Sequence, residues 1–494
     1  MMMRHGLAMA AIAALMATTA AAETTLRRSG DLGFGGAENL DPISPTRFYE
    51  ANDLIYNRLV SWGPDGLPAP ELAKSWSASP DAMEWTLVLQ DGVKFHDGSD
   101  FDATDVKYSL ERIKDPALES PVTSVLNMID RVEVVDPLTA KIVLSSAHAD
   151  LPLLFLDYRV RMIPDGSGAT IATTGIGTGP FKLETLDPEG TTVLLANDDY
   201  WQGRPKVDRV EIISIPDQEA RIQALLGGQL DYSDLNGDQV ATFEGNEDFV
   251  IQHYPSGDWQ GLVMRTDTAP FTDARVRKAL RMVVNRQEMA DLVVGPGGGT
   301  PSCDHPVWAG DSYRSAIECG ADIEGAKALL AEAGYADGID IDVHTSDLEA
   351  GMVRMVEVYQ QQAAPAGIRV NIVMAAPDGF WSDVWMVEPF VSTSWGQRPA
   401  DQILNEAYRS GSSWNESYFA DAEFDSLLDQ ARAELDLTKR TALYHAAQAA
   451  LWERGGSLIP YHINGVRAVR AVVKGMPEAG EDYIAWHLVE KTGD

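Results

Sequence analysis

The chain has 494 residues, with 74 acidic side chains against 39 basic ones and a formal net charge of -35. That balance excludes polyanionic partners, because nucleic-acid phosphates and anionic membrane surfaces repel it. A hydrophobic content of 45% excludes a disordered polymer, and the length suits two or three domains with sizeable cores. The acidity forms no block or tail, so it reads as a solvated surface.

Arg4 ahead of the apolar run Gly6 to Met16, followed by Ala20, Ala21 and Ala22, predicts a secretory signal peptide over residues 1–22 and a mature start at Glu23. The run falls short of the roughly 20 apolar residues that span a bilayer. No cysteine follows the cleavage position, which points to a free periplasmic protein, not a tethered one. In that oxidising compartment Cys303 and Cys319 are expected to form a disulfide; they lack the paired spacing of a zinc site.

Thr24 to Arg28 reads as a strand, and a helix follows with Tyr49, Leu54, Ile55 and Leu59 on it. The alternation in Glu84 to Leu89, the Asp91-Gly92 turn and Val93 to Phe95 predict a hairpin. Asp102 to Asp105 caps a helix through Ile113 that Asp115-Pro116 ends. Arg131 to Val135 and Lys141 to Leu144 form a strand pair, and Phe181 to Glu184 precedes Thr191 to Leu195. Val210 to Ile215 is a buried strand, after which Asp217 caps a helix. Near Leu262 the pattern changes to longer helices: Asp273 to Val284, Ile323 to Ala333, Met352 to Ala363 and Phe424 to Trp452. Ile339 to Val343 and Arg369 to Val373 flank the third of these, so a βαβ unit with parallel strands is expected there.

No catalytic motif stands in a credible context. Gly166-Ser167-Gly168 lacks the frame of a nucleophile elbow, and Gly295 to Thr300 lacks the lysine of a phosphate loop. The glycines at 175, 177 and 179 run into Pro180 with no helix to receive a pyrophosphate, and read as a flexible turn. His96 beside Asp97 is better read as a turn histidine than as a dyad, because adjacent strand side chains point apart. The histidines are scattered, and neither a metal nor a cofactor is expected.

Pro70 to Trp76, Trp85 to Gly98, Ala103 to Leu110, Gly177 to Phe181, Asn197 to Pro205, Ala224 to Asp231 and Phe271 to Leu280 together resemble the dipeptide/oligopeptide/nickel family (family 5) of extracellular solute-binding proteins of ABC importers. The resemblance covers essentially the whole mature chain. It implies an α/β fold, a two-lobed clamshell of the type II periplasmic-binding-protein kind with an extra small domain. Residues 23–62 with 176–262 and 475–494 would form a discontinuous domain I, 63–175 an inserted domain II and 263–474 domain III, the second lobe. Hinge strands are expected near Gly175 to Pro180, near Gln260 and near the C-terminus.

Peptide-binding members carry a Trp and, three residues later, an Asp that holds the ligand's ammonium; Trp395-Gly396-Gln397-Arg398 puts Arg398 in that place. The resemblance therefore implies ligand contacts from Trp395, Gln397 and Arg398. Asp401 is a carboxylate able to compensate, and Trp414 and Asn415 lie on a polar loop resembling a cleft wall. The implied function is capture of a peptide or similar polar organic solute by a monomer that delivers it to membrane permease subunits. A metal chelate, opine or oligosaccharide ligand is the alternative within the family, and a periplasmic hydrolase the alternative outside it.

Overall fold

The computed structural model describes residues 23–30, 33–63, 67–118, 120, 122–123, 125–377, 379–480 and 484–493. The expected signal segment lies outside them. No helix among the described residues is long and apolar enough to cross a membrane.

Two long antiparallel strands, Phe249–Met264 and Ser457–Arg470, run through both halves of the molecule. At about 3.3 Å per residue each is some 45–50 Å long, enough to serve two cores in turn. Their register shifts between Pro255 and Trp259 and again between Gln260 and Leu262, and such irregularities bend and twist a strand pair. On one side of the break the sheet continues through Tyr232–Asp234, Thr25–Gly30, Arg209–Ser214, Thr191–Ala196 and Phe181–Thr185. On the other it continues through Phe390–Trp395, Ile339–Thr345 and Ile368–Met374. Each side buries its own core: Leu26, Leu54, Phe181 and Ile212 in the first lobe, and Leu280, Val343, Met355 and Phe390 in the second.

The small domain is a four-stranded antiparallel sheet in the order Ala73–Ala78, Glu84–Leu89, Thr139–Leu144, Ile129–Asp136. Helix Ala103–Ile113 covers it with Val106 and Leu110. Asp102 accepts the Thr104 N–H, and Asp105 accepts the Asp102 N–H in return, a reciprocal cap that starts this helix where the sequence predicts it. The hairpin expected at residues 84–95 is not formed. Phe95 N–H donates to the Ser99 carbonyl and Phe101 N–H to the Val93 carbonyl, so Val93 to Phe95 folds onto the residues after it. Strand Glu84–Leu89 instead pairs with the strand before it, Ala73–Ala78, and on its other edge with the distant strand Thr139–Leu144.

In the second lobe the βαβ unit is formed: Ile339–Thr345 and Ile368–Met374 are parallel, with helix Met352–Ala363 between them. The single helix expected from Phe424 to Trp452 is two, Ala422–Ala433 and Leu437–Arg454. Asp436 breaks it, because its side chain accepts the Lys439 N–H and caps a new helix. Cys303 and Cys319 are bonded, with Cα atoms 5.6 Å apart.

Candidate functional site

At the break in the two long strands a cleft of about 820 Å³ lies between the lobes. Tyr254, Ser256 and Asp258 of the outgoing strand border it. The first-lobe side supplies Arg28 from strand Thr25–Gly30, Arg47, Glu50 and Arg221 from helix Gln218–Leu226; the small domain supplies Asp157, Tyr158 and Arg159. The second lobe supplies Gly396 to Pro399 and Gln402. Whereas the whole chain has nearly two acids per base, the cleft sets Arg28, Arg47, Arg159, Arg221 and Arg398 against Glu38, Glu50, Asp157, Asp234 and Asp258. Every cation is an arginine, the planar donor suited to carboxylates.

Several of these charges are already engaged. Asp157 takes two bonds from Arg159, at 2.8 and 2.5 Å. Burial opposes ionisation of the Asp157 carboxyl, yet Arg159 holds it below the usual range. Glu38 accepts the N–H groups of Phe34 and Gly36. Asp258 accepts the Gln397 N–H at 2.7 Å; loss of solvent pushes its carboxyl up, against the pull of that N–H and of Arg398. Arg398 donates to Glu406 at 3.0 Å and to the Gly396 carbonyl at 2.8 Å.

Arg47 differs. It donates to the Tyr158 hydroxyl at 2.6 Å and sits 4.6 Å from that ring's centre, which Arg159 also approaches, to 5.1 Å. Burial, and the neighbouring Arg159 cation, lower its pKa. No carboxylate among the described residues forms an ion pair with Arg47 or with Arg221, and the Nε of each is buried without a hydrogen-bond partner.

The six side chains expected at the ligand divide. Gln397 and Arg398 line the cleft, and Gln397 also accepts the Gly257 N–H from the bent strand, at 2.8 Å. Trp395 lies behind that wall: it is buried, stacked on Trp259 at 6.2 Å, and covered by the Arg398 guanidinium at 5.2 Å. Its indole N–H donates to Glu416 at 3.0 Å. Trp414 is 47% exposed and meets Trp395 edge-on, outside the cleft lining. Asn415 is buried and donates to the Arg409 and Phe419 carbonyls, which makes it the tie of a turn. The compensating role expected of Asp401 is not what the structure gives it. It is buried among Arg432, His148, Tyr444 and Asn405, and Arg432 and His148 overcome the effect of burial to keep its carboxyl far below the ordinary range. Among the cleft carboxylates, Asp258 is one that feels the charge of Arg398.

His96 is a structural clamp. Its Nε2 donates to the Gly179 carbonyl and its Nδ1 accepts the Gly177 N–H, while burial lowers its pKa to about 4. The glycine-rich segment is set by close packing instead of flexibility: a Cβ on Gly179 would sit 2.4 Å from the Ile55 carbonyl carbon. Sequence reasoning missed Arg47, Tyr158, Arg159, Arg221 and Asp258. Apart from the adjacent Tyr158 and Arg159 they lie on separate stretches of chain with no shared motif, and only the excess of arginine over lysine among them hints at a common use.

Over residues 68–415 the chain matches the model of bacterial extracellular solute-binding proteins, family 5 Middle. Among curated relatives, the glutathione-binding protein GsiB of Shigella dysenteriae serotype 1 is 27% identical, covering 91% of each chain. Among solved structures, the periplasmic binding protein DppA of Helicobacter pylori in complex with the peptide STSA has a TM-score of 0.73 at 22% identity, covering 95% of this chain and 98% of that one. AgaA of A. tumefaciens R10 in complex with agropinic acid has a TM-score of 0.74 at 25% identity, covering 96% and 99%.

Proposed function

The chain belongs to the bacterial extracellular solute-binding proteins, family 5, the solute-binding components of ABC importers, and from that premise we propose that it captures a di- or oligopeptide, or a polar organic solute of similar size, in this cleft and delivers it to membrane permease subunits from the periplasm. The observation that carries the reading is the arginine-lined cleft of about 820 Å³ set at the bend of the two connecting strands. The volume suits a small ligand, and the bend is where one lobe can turn against the other. A solute touching both lobes shifts the equilibrium toward closure by its differential affinity for the closed state.

In this reading Gln397 and Arg398 contact the ligand from the second lobe, and Trp395 acts from behind by fixing the Arg398 guanidinium. On the same reading residues 23–62 with 176–262 and 475–494 form domain I, 63–175 domain II and 263–474 domain III, and the pairing of Gly465 to Arg470 with the first-lobe end of the outgoing strand supports a return crossing near residue 464. Capture proceeds without bond cleavage. Ser256, which borders the cleft, donates its hydroxyl to the Ile463 carbonyl. The named relatives, a glutathione-binding protein and binding proteins solved with a peptide and with agropinic acid, support a small organic solute.

Mass spectrometry of solute released by denaturing the purified protein, followed by calorimetry with the solute found, tests the reading. An unmodified small molecule that rebinds is expected. Conversion of that molecule by the protein would replace capture with catalysis.

A further inference from the structure

Resting on that reading, we propose that Arg47 and Arg221 are anion-holding positions of the cleft, and that the solute is peptide-like and carries two carboxylates, one for each guanidinium. The chain has carboxylates in plenty, yet neither arginine has one among the described residues. Arg277, Arg314 and Arg467 also lack a carboxylate, but they donate to main-chain carbonyls deep in the protein. Arg47 and Arg221 do neither, and both face the cleft.

Arg47 is held where a cation is least comfortable. It shares the Tyr158 ring with Arg159, and the nearby Asp157 already gives both oxygens to Arg159. Among the described residues the one hydrogen-bond partner of its guanidinium is the Tyr158 hydroxyl. A partly buried guanidinium left in this state is stabilised by an incoming anion, and the planar donor edge fits a carboxylate in two-point fashion. Of the other carboxylates of the wall, Glu38 is taken by loop N–H groups and Asp258 by the Gln397 N–H beside Arg398, while Glu50 and Asp234 form no ion pair with either arginine among the described residues. The two guanidiniums thus suit a zwitterion with surplus carboxylate, not a neutral sugar.

Titration calorimetry on the mature protein, using glutathione and its glycine-amide as probes, tests this. Wild type is expected to prefer the dicarboxylate by about tenfold or more, and Arg47→Gln and Arg221→Gln each to weaken glutathione binding by a similar factor. One of the two variants should bind acid and amide alike, since it has lost the partner of that carboxylate. Arg47→Lys and Arg221→Lys, with melting temperatures checked without ligand, separate loss of the anion contact from loss of fold. Glutathione affinity within about twofold of wild type in both glutamine variants overturns the assignment. So does tight binding of a neutral dipeptide or sugar where glutathione fails, and that outcome leaves the capture function standing.

Discussion

Glu416 is enclosed by three donors and forms no ion pair among the described residues. It is 1% exposed and accepts the indole N–H groups of Trp385, at 2.5 Å, and Trp395, at 3.0 Å, and the Thr393 hydroxyl at 2.7 Å. Burial pushes its carboxyl from 4.5 to about 7, against the pull of these donors. Between those two values the native state holds a proton that the unfolded chain has released, so stability falls as pH rises through the window and is flat above it. Because two donors are indoles, one of them beneath Arg398, tryptophan emission should titrate with a midpoint of about 7, and the step should vanish in Glu416→Gln. Emission that stays level in wild type between about pH 5 and 8 would remove Glu416 as the titrating group. At this scale the sequence carried Arg398 and Gln397 to the cleft, since they continue from the end of a strand that borders it. It misplaced Asp401, because a carboxylate three residues on, within helix Ala400–Ala407, turns with the helix away from the preceding loop.

The helix bearing Asp401 joins a buried polar network that ties the small domain to the second lobe. Ala149 N–H donates to the Arg432 carbonyl at 2.7 Å, the Tyr313 hydroxyl donates to Asp150 at 2.8 Å, and Arg440 lies 3.1 Å from the same carboxylate. Arg432 and Asp401 pair at 2.8 Å, with His148 against the same group at 3.2 Å. Removing one partner of such a pair leaves uncompensated charge in place, so Asp401→Ala should lower unfolding stability by about 3–5 kcal/mol. Urea unfolding measures it, and a loss below about 1 kcal/mol, the scale of an exposed pair, would show the network to be incidental. Elements with local signals were legible: Asp217 caps its helix as read, accepting the Ala220 N–H, and the helix read from Asp273 does begin there, with Asp273 accepting the Arg275 N–H. The partners of strand Glu84–Leu89 were not, because alternation tells which face is buried and says nothing of which distant strand lies alongside. The stop at Asp436 was hidden for a related reason, since no glycine or proline marks it.

The change of pattern expected near Leu262 falls within strand Phe249–Met264, and hydrophobic alternation marks such a strand without showing the register shifts that bend it. The same whole-molecule view sets the kinetics of capture. A chain of net charge -35 repels an anionic solute at long range, whereas the cleft arginines attract it only at close range. The Debye length shrinks from about 30 Å at 0.01 M salt to about 8 Å at 0.15 M. Added salt therefore screens the distant repulsion before it screens the contacts inside the cleft. The association rate of glutathione should rise by a few-fold across that range, the reverse of ordinary electrostatic steering, which falls with ionic strength. The dissociation rate should rise as well, because the partly exposed guanidinium contacts weaken. Stopped-flow tryptophan fluorescence at the two salt concentrations separates the rates. An association rate that drops steeply with salt would mean that the approaching ligand feels a net positive field, and that the acidic surface lies too far from the cleft mouth to govern encounter.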